Sequence, residues 1–248
     1  MGIYKNTPPI VTSGLTMYVD PGNRVSYVSG SSTIFDLSGN NINGTLTNGP
    51  AFINNNQGYI NFDGTNDYIT FGTVLNPATP SASFSMGVWV TLASTASSAA
   101  GGIIGKNYSG GNKIRWGVYY PNVTPPTSKF RYLVDWDAEP AGTANDGNTI
   151  IIPNVWYYVV MTIDRSTAIM NLYVDGKIDN KITISGTGWG SNTSLSTTAT
   201  NNPFVSGFYN NSTYYLSGSI SCIQFYNSKA LTDKEVMQNY NALRFTYP

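Results

Sequence analysis

The chain has 248 residues, 13 basic and 13 acidic side chains, no histidine and one cysteine. This length allows a large core, and the balanced charge offers no basic surface of the kind that nucleic acids and anionic membranes attract. Without histidine, the chain lacks the usual general base and the serine and cysteine triads, and the single Cys222 cannot form an internal disulfide. The longest apolar runs are too short to cross a bilayer, so we expect no membrane insertion.

Short runs rich in Val, Ile, Tyr, Phe and Trp alternate with Asn, Ser, Thr and Gly along the chain, a pattern typical of strands joined by turns. Asp175 and Gly176 lie between two such runs in 168–178, which predicts a hairpin with a tight turn. The stretch "AEPAGTANDGNT" has turn chemistry and is expected to follow the end of a strand. The other predicted strands, in chain order, are 15–20, 33–38, 44–48, 59–64, 67–72, 84–93, 102–107, 113–120, 129–137, 155–165 and 216–227.

One helix is expected, near the end of the chain, in "LTDKEVMQNYNAL". Thr232 and Glu235 have the spacing of a capping box, in which each side chain satisfies the backbone N–H of the other residue. Apolar side chains then recur at helical spacing, which predicts a short amphipathic helix packed on the domain. These apolar residues are Val236, Met237, Tyr240 and Leu243.

About a dozen short antiparallel strands in one unit predict an all-β fold, a jelly-roll sandwich of two antiparallel sheets with one short C-terminal helix. Neither an internal repeat nor a linker divides the sequence. Residues 14–248 are therefore predicted to form a single domain, preceded by an N-terminal arm of residues 1–13. The arm contains "YKNTPPIV", which we expect to be able to dock on a neighbouring subunit.

Seven segments, taken in order, resemble the concanavalin A-like lectin and glucanase superfamily, in its laminin-G-like branch. The resemblance covers residues 14–243 and implies the same two-sheet jelly roll. Members of this fold often hold calcium through a few carboxylates, so calcium on the rim is an open alternative, although no cofactor is required and no complete ligand set can be identified. The seven segments are "GLTMYVDPGNRVSY", "FDLSGNNINGTLTNGP", "INFDGTNDYITFG", "FSMGVWV", "NVWYYVVMTID", "NLYVDGKI" and "LSGSISCIQFYNSKALTDKEVMQNYNAL".

Two of these segments allow both a structural and a ligand-binding interpretation. In "FDLSGNNINGT" the Asp, Ser, Asn and Gly residues favour a structured corner between strands, with a calcium or ligand contact as the alternative. In "FDGTNDY", Asp63 and Asp67 could contact calcium, but the ligand pattern of an EF-hand is missing. A hairpin turn followed by a half-buried strand is the favoured interpretation there.

The most acidic stretch, "RYLVDWDAEPAG", raises the question of an active site. On a strand, Asp135, Asp137 and Glu139 would share one face, as paired carboxylates do in glycoside hydrolysis. Glucanases of the superfamily carry the order Glu-x-Asp-x-Glu, whereas here the shorter Asp135 stands first and the chain's other glutamate, Glu235, caps the helix. Three interpretations stay open for this stretch: a solvated strand end, a carbohydrate or calcium contact on the rim, and catalysis.

The sequence favours a binding module over an enzyme, with Asp135, Asp137, Glu139 and Trp189 as candidate ligand-binding residues. Trp189 lies between glycines in a loop, where it would serve either as a lid over the core edge or as an exposed stacking platform. The catalytic alternative, a degenerate glycoside hydrolase, is the least favoured.

The N-terminus has no secretory signal pattern, and the resemblance extends to laminin-G-like structural proteins of tailed bacteriophages. Those proteins are assembled in the host cytoplasm and act outside after lysis. We therefore expect a virion surface protein, in capsid decoration or in a tail or fibre, that assembles with other virion proteins and is a homo-oligomer or assembly subunit. Its lectin-like domain would bind glycans of the host or the environment. A stand-alone carbohydrate-binding lectin is the alternative.

Overall fold

Strands rich in apolar residues build two antiparallel sheets that face each other across one core. The computed structural model describes residues 8–55, 57–73, 75, 82–93, 101–107, 114–120, 128–134, 143–184, 204–207 and 215–244. Within these residues there is one helix, on the outer face of one sheet. No helix in this part of the chain is both long enough and apolar enough to cross a membrane.

Sheet A carries the helix, and its strands run in the order β14-β13-β12-β7-β16-β5-β4, with β1 also paired to β16. Its strands are β1 (Leu15–Val19), β4 (Ala51–Ile53), β5 (Tyr59–Asp63), β7 (Phe84–Leu92), β12 (Tyr157–Asp164), β13 (Ile169–Val174), β14 (Lys177–Thr183) and β16 (Ser217–Asn227).

Sheet B forms the other layer, in the order β11-β10-β9-β8-β15-β6-β3-β2. Its strands are β2 (Thr33–Ile34), β3 (Gly44–Thr47), β6 (Tyr68–Thr70), β8 (Gly101–Asn107), β9 (Ile114–Tyr120), β10 (Lys129–Val134), β11 (Thr143–Ile150) and β15 (Phe204–Ser206). The all-β jelly-roll sandwich with one C-terminal helix is thus confirmed, and so is the hairpin at Asp175-Gly176, where both residues have positive φ and join β13 to β14.

The helix α1 (Asp233–Leu243) begins with the predicted capping box. The Thr232 side chain accepts from the backbone N–H of Glu235, and the Glu235 carboxylate accepts from the backbone N–H of Thr232. Tyr240 of α1 stacks on Trp89 of β7, with ring centroids 5.9 Å apart. The helix therefore buries part of the outer face of sheet A, which gives that sheet a second apolar cluster.

Residues 8–11, the described part of the predicted arm, lie against α1 and β16 of the same chain. The backbone N–H of Val11 donates to Asn239 Oδ1 (2.7 Å), and its carbonyl accepts from Tyr226 OH (3.0 Å). Gln238 Nε2 donates to the Pro9 carbonyl (2.8 Å). These bonds tie the start of the described chain to its last helix. Docking of the arm on a neighbouring subunit stays a prediction.

Strand β11 contradicts the prediction that "AEPAGTANDGNT" is turn throughout, because its second half, from Thr143, is paired with β10. Side chains stabilise the pairing of β10 with β11, and turn propensity, which depends only on neighbouring residues, does not include such contacts. Arg131 of β10 and Asp146 of β11 lie opposite each other and form a two-pronged ion pair. Strands β4 and β15 were also not predicted; both have only three residues, too few for a periodic pattern.

The carboxylate of Asp179, on edge strand β14 of sheet A, accepts hydrogen bonds from edge strand β11 of sheet B. It accepts from the backbone N–H of Asn148 (2.8 Å) and of Thr149 (2.9 Å), and from the Thr149 hydroxyl (2.6 Å). A Cβ on Gly147 would lie 2.1 Å from the Asp179 carboxylate, so glycine is what allows this approach. One side of the sandwich is therefore closed by side-chain hydrogen bonds between β11 and β14.

Candidate functional site

The four candidate residues from the sequence, Asp135, Asp137, Glu139 and Trp189, lie outside the described residues. Their role as ligand contacts stays a prediction. The predicted strand 129–137 is observed as β10 up to Val134.

The corner in "FDLSGNNINGT" is organised by Asp36, whose carboxylate is fully engaged within the chain. Oδ1 accepts from the backbone N–H groups of Tyr18 and Ser38, both at 2.9 Å. Oδ2 accepts from the Ser38 hydroxyl (2.7 Å) and from the backbone N–H of Ile42 (3.2 Å). Four donors on one carboxylate confirm the structured corner, because they occupy the lone pairs that a cation would need.

The turn in "FDGTNDY" is observed, but the strands that it joins do not form a hairpin. Asp63 Oδ1 accepts from the backbone N–H of Thr65 (2.7 Å), and Asp67 Oδ2 accepts from the backbone N–H of Asp63 (3.1 Å). Strand β5 belongs to sheet A and β6 to sheet B, so the turn, with Gly64 at a φ of +79°, carries the chain between the layers. Among the described residues, no three acidic or cysteine side chains come together as a metal site would require.

A pocket opens at the edge of sheet A, where two strands share one neighbour. β1 pairs with β16 at Ile223–Tyr226, and β5 pairs with the same edge of β16 at Ser217–Ile220. The register of β16 breaks between Ile220 and Ile223, at the gap between the two strands. The segments after β1 and before β5 therefore meet at this gap.

The meeting of these segments depends on Gly22. A Cβ at this position would lie 1.9 Å from the carbonyl oxygen of Gln57, so no other residue fits without moving the backbone. Gln57 and Gly58 both have positive φ, at +70° and +95°. The Ser221 hydroxyl, at the break in β16, donates to the Gly58 carbonyl (3.3 Å) and anchors the returning segment.

The first chamber of this edge pocket has a volume of about 390 Å³ and is polar. It is lined by Asp20, Gly22, Asn23, Arg24 and Gln57. Asp20 is held in place because Oδ1 accepts from the backbone N–H of Gly22 (2.9 Å) and its backbone N–H donates to the Ser26 hydroxyl.

The Arg24 side chain is exposed and has no ion-pair partner within the described residues. The first chamber thus presents a carboxylate, a guanidinium and two amides on a fixed loop.

The second chamber adjoins the first, shares Gly22, Arg24 and Gln57 with it, and has a volume of about 300 Å³. Tyr27 and Phe52, whose ring centroids are 5.1 Å apart, add an aromatic wall that the first chamber lacks. Burial raises the pKa of Tyr27, and its hydroxyl donates to the Ser31 carbonyl (2.9 Å), so the ring is fixed. A polar chamber beside an aromatic one is a common arrangement for binding small polar ligands.

A family model for the concanavalin A-like lectin/glucanases superfamily matches residues 63–237, more than half of the chain. The chain belongs to this superfamily.

Solved structures with the same concanavalin A-like sandwich include enzymes and binding domains. The Trypanosoma rangeli sialidase in complex with sialic acid matches with a TM-score of 0.67 and 14% identity, over 98% of this chain and 36% of that one. The botulinum neurotoxin serotype D binding domain matches with a TM-score of 0.66 and 15% identity, over 93% of this chain and 52% of that one. At these identities the likeness shows the fold alone, and the chain spans about a third to a half of their lengths. No curated protein sequence matches.

Within this concanavalin A-like fold, the edge pocket was not identified from the sequence. The only local signal is "DPGNR", a turn pattern that supplies Asp20, Gly22 and Arg24. No local sequence pattern indicates Gln57, because it is brought to the pocket by the pairing of the following strand, β5, with β16.

Proposed function

We propose that this lectin-like chain is a non-enzymatic surface protein of a virion and that it binds glycans in the edge pocket. The observation that supports binding there is the adjacency of a polar chamber and an aromatic chamber on a loop fixed by hydrogen bonds. Sugars combine hydroxyl groups with apolar ring faces, so they match both chambers at once.

Each side of the pocket has a defined role in this proposal. The Asp20 carboxylate lines the first chamber, where Oδ1 accepts from the backbone N–H of Gly22 and Oδ2 from the Tyr18 hydroxyl, and it gives the chamber a charged acceptor group for sugar hydroxyls. The Arg24 guanidinium, a rigid fork of donors without a partner in the described chain, suits a carboxylate on the glycan. Phe52 is half-buried and offers an apolar wall to a sugar ring.

The virion part of the proposal is supported by the resemblance of seven ordered segments to the laminin-G-like branch of the superfamily, a branch that also occurs in structural proteins of tailed bacteriophages. The chain would be made in the host cytoplasm, assemble with other virion proteins, and act as a homo-oligomer or assembly subunit without a required cofactor. Mass spectrometry of purified particles tests this, with the protein expected at a stoichiometry of many copies. If it is missing from intact particles, the chain is not a virion protein, and a stand-alone lectin is the remaining binding function.

Glycan binding is tested on an array of neutral, uronic-acid and sialylated glycans, with and without calcium. Sialylated glycans are included because the T. rangeli sialidase was solved with sialic acid. Arg24→Ala is expected to weaken binding of acidic glycans about tenfold or more, the usual loss for a charged hydrogen bond. Lys177→Ala is the control, since it removes an exposed charge from β14, at the opposite edge of sheet A. Equal binding by both variants would exclude the edge pocket.

The absence of enzymatic activity is a separate proposal. The unmodified protein is expected to release no sugar from β-glucans, sialosides or host polysaccharides. Hydrolysis that disappears in Glu139→Gln would overturn it and establish a glycoside hydrolase.

A further inference from the structure

A row of uncharged side chains crosses the outer face of sheet A beyond the helix. Thr91 of β7 pairs with Ser219 of β16, and Ser219 pairs with Asn61 of β5. Tyr157 pairs with Val90, which brings the preceding residue, Trp156, beside Thr91. The neighbours of this row along the strands, such as Val90, face the core, so the row faces outward.

The helix leaves this end of the sheet uncovered. α1 stacks over Trp89 through Tyr240 and buries Tyr158 completely. Trp156 and Tyr59, by contrast, are half-buried, and so are Thr91 and Asn61 of the row. Beyond the helix, the described part of this face therefore presents half-buried aromatic rings and the Asn61 amide, whereas Ser219 and the Thr91 hydroxyl are buried.

The two rings form a corner. Tyr59 and Trp156 meet edge to face, with centroids 5.3 Å apart and planes at 67°. Such a ring pair is an aromatic surface of the kind on which the apolar face of a sugar ring stacks.

The amide beside this corner is fixed by the sheet. Asn61 Nδ2 donates to the Gly218 carbonyl (3.2 Å) and to the Ser219 hydroxyl (3.0 Å). Both bonds use the amide nitrogen, so they leave Asn61 Oδ1 as the acceptor offered to a ligand hydroxyl, whereas Ser219 is buried and serves to orient the amide.

We propose that the Tyr59–Trp156 corner and Asn61 form a second saccharide site, specific for neutral glycans. Its side chains carry no charge, whereas the edge pocket carries Asp20 and Arg24. An acidic sugar would lose hydration at the corner without gaining a partner. The two sites therefore select different ligands, and neither requires the other.

Isothermal titration with cellohexaose, laminarihexaose and maltohexaose tests the proposal. At least one is expected to bind the full chain, with an affinity that does not change between low and high salt, because neither partner is charged. Trp156→Ala is expected to weaken this binding about tenfold and Trp156→Phe to retain most of it, since phenylalanine keeps a stacking ring. Lys177→Ala, an exposed residue of β14 in neither site, is expected to leave it unchanged.

Three outcomes would overturn this second site: binding of none of the three oligosaccharides, equal binding by Trp156→Ala, or loss of binding in Lys177→Ala. Thermal melts of each variant are compared first, and Asn61→Ala provides a second test if Trp156→Ala is unfolded. Failure of the edge pocket is detected separately, by the effect of Arg24→Ala on acidic glycans.

Discussion

Replacing Lys106 with methionine is expected to stabilise the protein at neutral pH. Lys106 lies on β8 opposite Trp116, so its side chain points into the core, and it is fully buried. Its Nζ donates to the carbonyl of Thr73 (3.0 Å), which is its one partner within the described residues. Burial lowers the pKa of Lys106 from 10.5 to about 8.

This pKa fixes both the magnitude and the pH dependence of the effect. Below pH 8 the Lys106 amine is charged in both the folded and the unfolded state, and burying this charge lowers the free energy of unfolding by about 3 kcal/mol. The figure follows from the difference between the two pKa values, at about 1.4 kcal/mol for each pKa unit. Between pH 8 and 10.5 the folded state loses its proton first, and the cost fades. Methionine removes this cost but also removes the hydrogen bond to Thr73, worth about 1 kcal/mol.

Urea denaturation of the unmodified protein and Lys106→Met across this pH range is the assay. We expect Lys106→Met to be about 2 kcal/mol more stable near neutral pH, and slightly less stable near the upper end of the range. Lys177→Met, which changes an exposed lysine, is expected to differ little from the unmodified protein at every pH. A stability difference for Lys106→Met that is constant with pH would refute the reasoning.

Three further substitutions test the contacts that hold the site and the layers. Gly22→Ala is expected to separate the two segments at the edge pocket, because its Cβ would collide with a backbone carbonyl; acidic-glycan binding should be lost, and retained binding with an unchanged melting temperature would contradict this. Asp179→Ala should cost about 1–3 kcal/mol in urea denaturation, since it leaves donors of β11 without acceptors, whereas Asp179→Asn, which still accepts, should cost less. Thr232→Ala removes the helix cap and should lower stability by about 1 kcal/mol, measured the same way; no change would mean that packing alone fixes α1.

Much of the fold could be predicted because its determinants are local. Runs rich in Val, Ile, Tyr, Phe and Trp between turn residues predicted the long strands β7, β12 and β16, and the turn pair Asp175-Gly176 predicted the hairpin that joins β13 to β14. The capping box predicted where α1 begins. In each case the residues that specify the structure are neighbours in the chain.

Other features could not be predicted because distant residues determine them. β11 is a strand because Arg131 and Asp179 bind it from neighbouring strands, against its own turn propensity. The turn at Gly64 joins a strand of sheet A to a strand of sheet B. The sequence pattern of two strands and a turn is the same whether the strands pair as a hairpin or belong to different sheets. The edge pocket arises where Gly22 meets Gln57, two segments that only the pairing of β1 and β5 with β16 brings together.

The pairing of the first strand with the last also constrains how the chain can fold during synthesis. The hydrogen bond between Tyr226 and Val11 joins residues 215 positions apart, and β7 has one unpaired edge until β16 is made. At about 5–20 residues per second, the ribosome takes roughly 10–40 s to make the intervening chain, during which apolar strand edges stay exposed. Sheet A therefore completes only after translation has passed β16. Slower synthesis would prolong the exposed state, whereas a chaperone that covers β7 would raise the yield of folded protein.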